Sequence, residues 1–367
     1  MLTWLLLSAA ACAKPAPREL TFRMAEVAAG GDTPFGVIAV KPGGNGLPDL
    51  AVSSADAGTV TLLRAGPAGA FAPAWNVTVQ PVARGLAAGD LDRDGRPDIA
   101  VASAKSSFVS LLFAQAGGEV RVATQEAGMA PFDVAIADLD GDGMLDVAVA
   151  NETNGGPNLR GDVTILYGDG AGSFPRRRTL PAGTFPGHLA VADLDKDGRL
   201  DLAVVNWGSS DVSVFRTRPT GELAPSATVA LGGGPAYGLT AADLDGDGAP
   251  DLAAVEAAGV VRVLRNDGSG ALTPGATLPV GGGARDVQAA DLDGDGRPDL
   301  VTADTLDDSV SILRNLGGGR FAPRQVIAVG SRPRTVTAAD LNGDGLCDLA
   351  VTEGGAGKVA VLLATRP

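Results

Sequence analysis

Short hydrophobic segments, separated by turns rich in Gly, Asp and Pro, run along almost the whole chain. In the most regular segments apolar and polar residues alternate, as expected for a β-strand with one buried face. Examples are Val60–Arg64, Val163–Tyr167, Val212–Arg216 and Val310–Arg314. No stretch has a long uninterrupted helical period. The 52 Gly and 24 Pro residues suit many short strands and tight turns, so we expect an all-β fold.

Each alternating segment belongs to a set of four predicted strands that recurs along the chain. A first strand of small and branched residues, such as Val287–Ala290 or Leu189–Ala192, leads into an aspartate-rich loop. A second strand, such as Asp98–Val101, leaves that loop, and the alternating strand is the third. A Gly-rich turn then leads to a fourth strand, as at Phe71–Val79 and Phe321–Val329. Ala and Gly crowd the first strand, which is typical of strands that converge on an axis.

The number of repeats predicts a closed ring. The aspartate-rich loops begin 48 to 55 residues apart, at Asp90, Asp138, Asp193, Asp243, Asp291 and Asp340. A degenerate copy at Lys41–Asp49 makes seven repeats, and four antiparallel strands per repeat indicate a β-propeller. The last repeat stops at its third strand, Val359–Leu363, whereas Leu20–Val27 reads as a fourth strand without a blade. We therefore predict a seven-bladed β-propeller of four-stranded antiparallel blades, closed by the N-terminal strand joining the C-terminal blade.

The aspartate-rich loops have the spacing of calcium-binding loops. In Asp291–Asp299, Asp occupies positions 1, 3, 5 and 9, and Gly at position 6 allows a sharp turn. Carboxylates this close repel one another unless a divalent cation lies among them. In the degenerate copy Lys41 and Gly43 replace two ligands, which we interpret as a lost metal site. We expect up to six Ca²⁺, with a mainly structural role, held by Asp90, Asp92, Asp94 and Asp98; Asp138, Asp140, Asp142 and Asp146; Asp193, Asp195, Asp197 and Asp201; Asp243, Asp245, Asp247 and Asp251; Asp291, Asp293, Asp295 and Asp299; and Asp340, Asn342, Asp344 and Asp348.

The metal loops also change the interpretation of the net charge, which is −14. They contain 23 of the 43 acidic residues, so 20 acidic residues remain against 29 basic ones. Six bound Ca²⁺ would bring the net charge to −2, and the acidity therefore says little about partners. The basic residues are scattered along the sequence, which argues against nucleic-acid binding. We expect a monomer.

The N-terminus predicts export from the cytoplasm. Met1–Ala11 is apolar and too short to span a bilayer, so it reads as a secretory signal. If Ala9-Ala10-Ala11-Cys12 is a lipoprotein signal, Cys12 is acylated and provides the one membrane attachment; if Ala11-Cys12-Ala13 is the cleavage site, the signal is 1–13 and Cys12 is lost. Residues 12–19 form a linker and residues 20–367 the propeller. We expect an extracytoplasmic protein, whether secreted, periplasmic or anchored at an outer surface. Cys347, at loop position 8, is expected to pack as a small apolar residue.

A family resemblance follows from these motifs. The order Asp-Leu-Asp-Gly-Asp-Gly-x-x-Asp-Leu-Ala-Val, then Val-Ser-(Val/Ile)-Leu, Gly and Phe, resembles the FG-GAP/VCBS repeat family and is similar to the propeller of integrin α subunits. It covers about Leu20–Ala364. The resemblance implies calcium binding and a surface or secreted location, but no particular ligand. It also implies a backbone carbonyl ligand at loop position 7, contributed by Arg96, Met144, Arg199, Ala249, Arg297 and Leu346.

A second set of candidate residues is predicted at the end of the ring opposite the metal loops. Its members lie just before the first strand of a repeat or just after the second strand, and both of these connections are at that end. The set comprises Phe35, Arg84, Phe132, His188, Trp207, Tyr237, Arg285 and Arg334. Aromatic and Arg side chains on converging loops could form a floor that binds a sugar or a peptide. The alternative is that the rings pack between blades and the Arg side chains cover their rims. Trp207 could equally pack under the long loop Asn151–Gly161.

Sequence motifs for catalysis are scarce. His188 is the single histidine, so a histidine-based triad would need that residue. We find no Gly-x-Ser-x-Gly elbow, no phosphate-binding loop and no zinc pattern. We expect a non-catalytic binding or adhesion module for an unidentified protein or glycan. The alternatives are a calcium-dependent, lyase-like enzyme acting on polysaccharide, and a surface scaffold without a small ligand.

Overall fold

The computed structural model describes residues 19–41, 46–153, 155 and 159–366. The predicted signal segment, the lipidation candidate Cys12 and all of the predicted linker except Glu19 lie outside these residues. So do parts of the degenerate loop and of the Asn151–Gly161 excursion. Within the described ranges, no helix has the length and hydrophobicity needed to cross a lipid bilayer.

Each repeat forms the predicted four strands, and the first two of each blade flank the aspartate-rich loop. The first strands are β2 (Pro34–Val40), β6 (Ala83–Gly89), β10 (Met129–Ala137), β14 (Pro186–Ala192), β18 (Ala236–Ala242), β22 (Ala284–Ala290) and β26 (Pro333–Ala339). The second strands are β3 (Asp49–Ser54), β7 (Asp98–Ser103), β11 (Asp146–Thr153), β15 (Asp201–Asn206), β19 (Asp251–Glu256), β23 (Asp299–Asp304) and β27 (Asp348–Glu353). All pair antiparallel within their blade.

The third and fourth strands complete each blade toward the outside of the ring. The third strands are β4 (Thr59–Ala65), β8 (Phe108–Ala114), β12 (Arg160–Tyr167), β16 (Asp211–Thr217), β20 (Val260–Asn266), β24 (Ser309–Leu313) and β28 (Lys358–Thr365). The fourth strands are β5 (Phe71–Thr78), β9 (Val120–Glu126), β13 (Arg176–Thr184), β17 (Leu223–Ala230), β21 (Leu272–Pro279), β25 (Gln325–Ala328) and β1 (Thr21–Ala28). A short 3-10 turn, Pro67–Gly69, precedes β5.

The seven sheets form a closed ring, as predicted. The first strand of each blade contacts the first strands of both neighbouring blades, and β2 contacts β26. The last sheet has the strand order β1-β28-β27-β26, so the N-terminal strand supplies its outer edge. It pairs with β28 from Thr21 opposite Thr365 to Ala28 opposite Lys358. The predicted seven-bladed propeller and its mode of closure are both confirmed.

The hydrophobic core is divided among the seven seams between adjacent blades. Each seam contains a separate cluster of buried side chains drawn from both neighbouring blades. In the seam between the second and third blades, Leu91 and Phe113 pack with Val149. Cys347 also packs against such a cluster, and burial raises the pKa of its thiol to about 11. This agrees with the structural role expected for Cys347.

The outer strand of the sixth blade is shorter than predicted. The sequence predicts Phe321–Val329, whereas β25 extends from Gln325 to Ala328. Phe321 retains an isolated bridge to Asn315, and Pro323 between these two pairings has no N–H to donate. The side chain of Gln325 instead bonds the backbone of Leu20 in both directions, at 2.9 and 2.5 Å. The chain just before β1 is thereby attached to the neighbouring blade.

Candidate functional site

The six aspartate-rich loops, here called the acidic loops, connect the first and second strands and share one end of the ring. In five of them three carboxylate groups offer oxygens within 4.8 Å of one another: Asp90, Asp92 and Asp94; Asp138, Asp140 and Asp146; Asp193, Asp195 and Asp197; Asp243, Asp245 and Asp251; and Asp291, Asp293 and Asp295. In the sixth loop Asn342 stands at position 3, and its Nδ2 donates to Asp344 Oδ2 at 3.2 Å.

Two carboxylate oxygens show that these loops fit a divalent cation. Asp92 Oδ1 and Asp195 Oδ1 are buried, and neither has a hydrogen-bond partner among the described residues. A buried acceptor without a partner is unfavourable, and a cation at the centre of the loop would satisfy it. Clustered carboxylate oxygens are the donors that Ca²⁺ prefers. The acidic clusters could therefore hold metal ions, while the carbonyl ligands at position 7 remain a prediction.

The aspartate at position 9 has a second role that the sequence did not predict. Asp98 Oδ2 accepts the N–H of Leu91 at 2.9 Å, and its Oδ1 accepts the N–H of Ala114 at 2.9 Å. The carboxylate thus joins the start of the loop to the end of the third strand. The other five acidic loops have the same pair of bonds. In the degenerate loop Asp49 keeps the bond to Ala65, at 2.8 Å, which gives this aspartate a structural role apart from any metal.

Burial and neighbouring carboxylates perturb these position-9 groups. Burial first, and adjacent loop aspartates second, raise the pKa of Asp98 to about 6 and that of Asp146 to about 7, against backbone hydrogen bonds that lower it. A cation among the carboxylates would lower both pKa values, because it favours the charged form. The loop electrostatics are therefore consistent with metal binding.

Arginine side chains beside the loops were also missed at the sequence level. At position 7, the Arg96 guanidinium pairs with Asp94, and its Nε donates to the carbonyl of Ala114 at 3.0 Å. The same arrangement recurs at Arg199 and Arg297. These contacts partly offset the acidic charge and connect the loop to the third strand.

The opposite end of the ring contains the second candidate set. Each first strand enters at this end and runs about seven residues to its acidic loop, a span of roughly 20 Å at about 3.4 Å per residue. All seven first strands change register against the second strand near their start. The displaced residues include Phe35, Arg84, Phe132, Tyr237 and Arg285. Such β-bulges re-aim side chains and are common beside binding sites.

All eight predicted residues of this second set line one cavity of about 340 Å³, here called the mouth cavity. It is lined by Phe35, Arg84, Phe132, Glu152, His188, Trp207, Tyr237, Arg285, Arg334 and Thr335. The sequence missed Glu152, which pairs with Arg84 at 3.0 Å. Its signal is weak, because Glu152 lies where β11 extends past the usual strand length into an irregular connection.

The aromatic and arginine side chains of the mouth cavity are stacked on one another. The guanidinium carbon of Arg84 lies 4.9 Å from the ring centre of Phe132, and that of Arg334 lies 5.2 Å from Phe35. Arg285 covers Tyr237 at 4.2 Å. These contacts match the alternative prediction that Arg side chains cover aromatic rings, while the same residues still line the cavity. Stacking reduces the mobility of the side chains before any ligand binds.

Trp207 extends the stack on the far side of the cavity. Its ring lies 4.6 Å from Phe185, with 15° between the planes, and 5.9 Å from Tyr237, with 27° between the planes. Phe185 was not predicted. Its backbone has φ +52°, a left-handed conformation that is unusual for a bulky residue, and it directly precedes β14. Val82, Ala130 and Arg332 have similar φ values at the corresponding positions of other blades.

Next to the mouth cavity, the half-buried His188 lies beside the buried Asp133. His188 Nδ1 lies 3.4 Å from Asp133 Oδ2, and both residues line a second cavity of about 200 Å³ together with Asp286. Burial raises the pKa of both aspartates, and the charge of His188 opposes that shift. Both carboxylates accept backbone N–H groups of the next blade, from Leu189 at 3.0 Å and from Val336 at 2.9 Å. The two aspartates thus connect neighbouring blades.

The fold and the acidic loops define the class of protein as a seven-bladed β-propeller built from repeats that each contain an aspartate-rich or degenerate loop. A sequence profile described as FG-GAP-like repeat matches residues 44–101, 138–204, 203–254, 243–302 and 291–351. These matches cover more than half of the chain, so the chain belongs to the FG-GAP-like repeat family. No curated protein matches the chain in sequence.

Solved structures share the fold at low sequence identity. One is "BBS1N in complex with ARL6DN", with a TM-score of 0.67, 13% identity, and coverage of 95% of this chain and 97% of that chain. Hydrazine synthase of Kuenenia stuttgartiensis has a TM-score of 0.64, 16% identity, and coverage of 91% and 96%. An inactive variant of virginiamycin B lyase from Staphylococcus aureus with quinupristin has a TM-score of 0.61, 16% identity, and coverage of 93% and 99%. These similarities extend to the fold alone.

Proposed function

We propose that this protein is an extracytoplasmic, calcium-stabilised binding module that holds a protein or glycan ligand in the mouth cavity. One observation carries the proposal. Side chains from all seven blades, including three arginines and four aromatic rings, converge on one cavity at the end opposite the acidic loops. Ring stacking, bulged strands and left-handed residues all occur at this end, and local backbone strain of this kind is concentrated at functional sites.

Calcium has a structural role in this proposal. The acidic loops lie a strand length away from the mouth cavity, so bound ions do not reach a ligand there. Leu91, at position 2 of its loop, is almost fully buried in the seam to the next blade. A cation that fixes the loop therefore also fixes inter-blade packing. The BBS1N–ARL6DN complex, a propeller bound to a protein, supports the inclusion of protein ligands.

The second candidate function is catalysis on polysaccharide. The observation that favours it is His188, whose ring lies in the mouth cavity while its Nδ1 faces the buried Asp133. Against it, Asp133 also accepts a backbone N–H, which assigns its carboxylate a structural role. Incubation with acidic polysaccharides separates the two functions. Chain shortening that disappears in His188→Ala would favour the enzyme, whereas binding without turnover favours the module.

The proposed function is tested by a glycan and surface-protein binding screen, run with calcium and with chelator. We expect binding that is lost in Trp207→Ala and Arg285→Ala. Phe108→Ala is the matched control, because Phe108 is an exposed aromatic residue that does not line the mouth cavity. Unchanged binding in both mouth variants would refute the proposed site. Export is tested separately, by locating the full chain and a Cys12→Ser variant in cell fractions; retention of the full chain in the cytoplasm would refute the proposed location.

A further inference from the structure

The arginines of the mouth cavity present hydrogen-bond donors toward a ligand. A guanidinium that lies face-on against an aromatic ring keeps the N–H groups around its edge free. Arg285 lies over Tyr237, with its guanidinium carbon 4.2 Å from the ring centre, and Arg334 lies over Phe35 at 5.2 Å. Because the rings hold them in place, less side-chain entropy is lost when the donors engage an anion. The cavity therefore contains fixed donors of a kind suited to a carboxylate.

Two of these arginines form no ion pair with the residues that the structure describes. Arg84 pairs with Glu152, but neither Arg285 nor Arg334 forms an ion pair or hydrogen bond with any described residue. Burial, and then the nearby Arg285, Arg332 and Arg84, lower the pKa of Arg334, and the charge of Asp56 only partly opposes this shift. A group of like charges that is only partly compensated is unfavourable, and it occurs here in a chain of net charge −14. Binding of an anion would relieve this repulsion.

We infer that the mouth cavity recognises a sugar residue that carries one carboxylate, with Arg285 and Arg334 binding the carboxylate. This inference rests on the proposed function and specifies the ligand class of the same site. Arg285 and Arg334 belong to adjacent blades, in β22 and β26, so both can approach one planar group. Arginine favours such groups because its paired N–H donors match the two carboxylate oxygens.

The remaining lining residues favour a sugar over an acidic peptide. Glu152 in the cavity would repel a second carboxylate, whereas it can accept hydrogen bonds from hydroxyl groups. Tyr237 and Trp207 add a hydroxyl and an indole N–H, so donors and acceptors are mixed as the hydroxyls of a sugar require. A volume of about 340 Å³ lies near the lower end of the usual range for ligand sites, ~300–1,000 Å³. A cavity of this volume suits a terminal sugar residue better than a long polysaccharide chain.

The test is calorimetric titration of the calcium-loaded full chain with a panel of acidic oligosaccharides containing uronic or sialic acid residues. Each is paired with its methyl ester, which has the same sugar without the charge. A glutamate-rich peptide is the competing probe. We expect at least one acidic saccharide to bind, and its methyl ester to bind at least tenfold more weakly.

Variants locate the contact. Arg285→Gln and Arg334→Gln should each weaken saccharide binding about tenfold. Arg218→Gln is the matched control, since it removes the same charge from an exposed loop between the third and fourth strands, at the acidic-loop end. Melting temperatures within a few degrees of the parent protein would establish that the variants are folded. Arg285→Lys should recover part of the affinity, because it restores the charge without the paired donors.

Three outcomes would overturn the inference: no acidic saccharide binds, the esters bind equally well, or both Arg variants bind like the parent. Tighter binding of the peptide than of every saccharide would also overturn it. The proposed function is judged separately by the screen with Trp207→Ala. If another ligand binds and that variant loses it, the mouth cavity remains a binding site and only the ligand class is wrong.

Discussion

Asp286 connects two blades through one buried carboxylate. Its Oδ2 accepts the N–H of Val336 in the next blade at 2.9 Å, and its Oδ1 accepts the N–H of Val287 at 2.8 Å. Asp133 makes the equivalent contact to Leu189. At the corresponding position of the second blade, Gly85 is required because a Cβ there would lie 2.2 Å from Asp133 Oδ1. The residue at this position of each of these blades therefore contacts the neighbouring blade.

Substitution of Asp286 should separate its hydrogen bonds from its charge. Asp286→Ala leaves the N–H of Val336 unpaired and should lower the free energy of unfolding by about 1–3 kcal/mol. Asp286→Asn retains an acceptor oxygen and should remain within about 1 kcal/mol of the parent at pH 7. Urea unfolding of the three proteins measures both values. An Asn variant as unstable as the Ala variant would contradict this account.

The buried carboxyl group of Asp286 also predicts that stability depends on pH. Burial raises the pKa of Asp286 above its value of about 3.9 in the unfolded chain, so the folded protein takes up a proton first as the pH falls. The contribution of this group to stability therefore increases as the pH falls through the folded pKa, and is lost as the pH rises through it. Asp286→Asn should lack this gain, so the parent should gain stability relative to the variant between pH 7 and pH 4. Parallel urea titrations of the parent and the Asn variant measure the difference in stability. The acid sensitivity of the acidic loops is the same in both proteins and therefore cancels.

Sequence patterns located the mouth residues but not their contacts. Phe35, Arg84 and Tyr237 could be aligned because each stands six residues before its loop. The bulges that re-aim them depend on pairing with another strand, which no local pattern encodes. The partner of Asp133 likewise lies 56 residues away in sequence. Long-range contacts of this kind therefore appear only in the folded chain.

Among the elements, the turns that lead into the first strands contain the most unusual backbone. Ala130 has φ +55° just before the bulged part of β10, and the left-handed region disfavours residues with a Cβ by roughly 1–2 kcal/mol. Ala130→Gly should therefore raise the free energy of unfolding by up to about 1 kcal/mol. Ala236→Gly, at the buried start of β18, is the control and should lower it by about 1 kcal/mol. Denaturant unfolding that gave the same sign for both variants would contradict this prediction.

Strand β1 is the element on which ring closure depends. It pairs along its whole length with β28, and Phe22 and Val27 pack in two different seams. A chain that begins at Ala29 should expose the edge of β28 and associate into oligomers as its concentration rises. A chain that begins at Glu19 retains β1 and is the matched control. Light scattering after gel filtration distinguishes the two, and a stable monomer from the shorter chain would refute the role of β1.

The sequence predicted β1 more accurately than β25. Both are outer strands, but Leu20–Val27 contains no Pro, and its role followed from counting the strands at the two ends of the chain. In the sixth blade the pattern Phe321–Val329 contains Pro323, and pairing stops around that residue. Pattern alone does not decide where an edge strand loses its partner.

For the whole molecule, the acidic loops and the mouth cavity divide stability and recognition between two ends of the ring. Chelation should lower the melting temperature strongly, because each loop also places a leucine in a seam and would lose its counter-charge. A site held at 100 times its Kd contributes about 2.7 kcal/mol. Thermal unfolding with calcium, with equimolar magnesium and with chelator measures this effect, and metal analysis should give up to six Ca²⁺ per chain. A melting temperature indifferent to chelator would show that the ions are dispensable.

The offset by one strand at the junction of β1 and β28 also bears on how such a ring can change in evolution. The chain begins with the fourth strand of a blade and ends with the third. The strand at the start of the chain therefore completes whichever blade is last in the sequence. Duplication or deletion of one whole repeat in the gene would leave both ends complementary. A propeller built this way can gain or lose a blade without any new sequence at its point of closure.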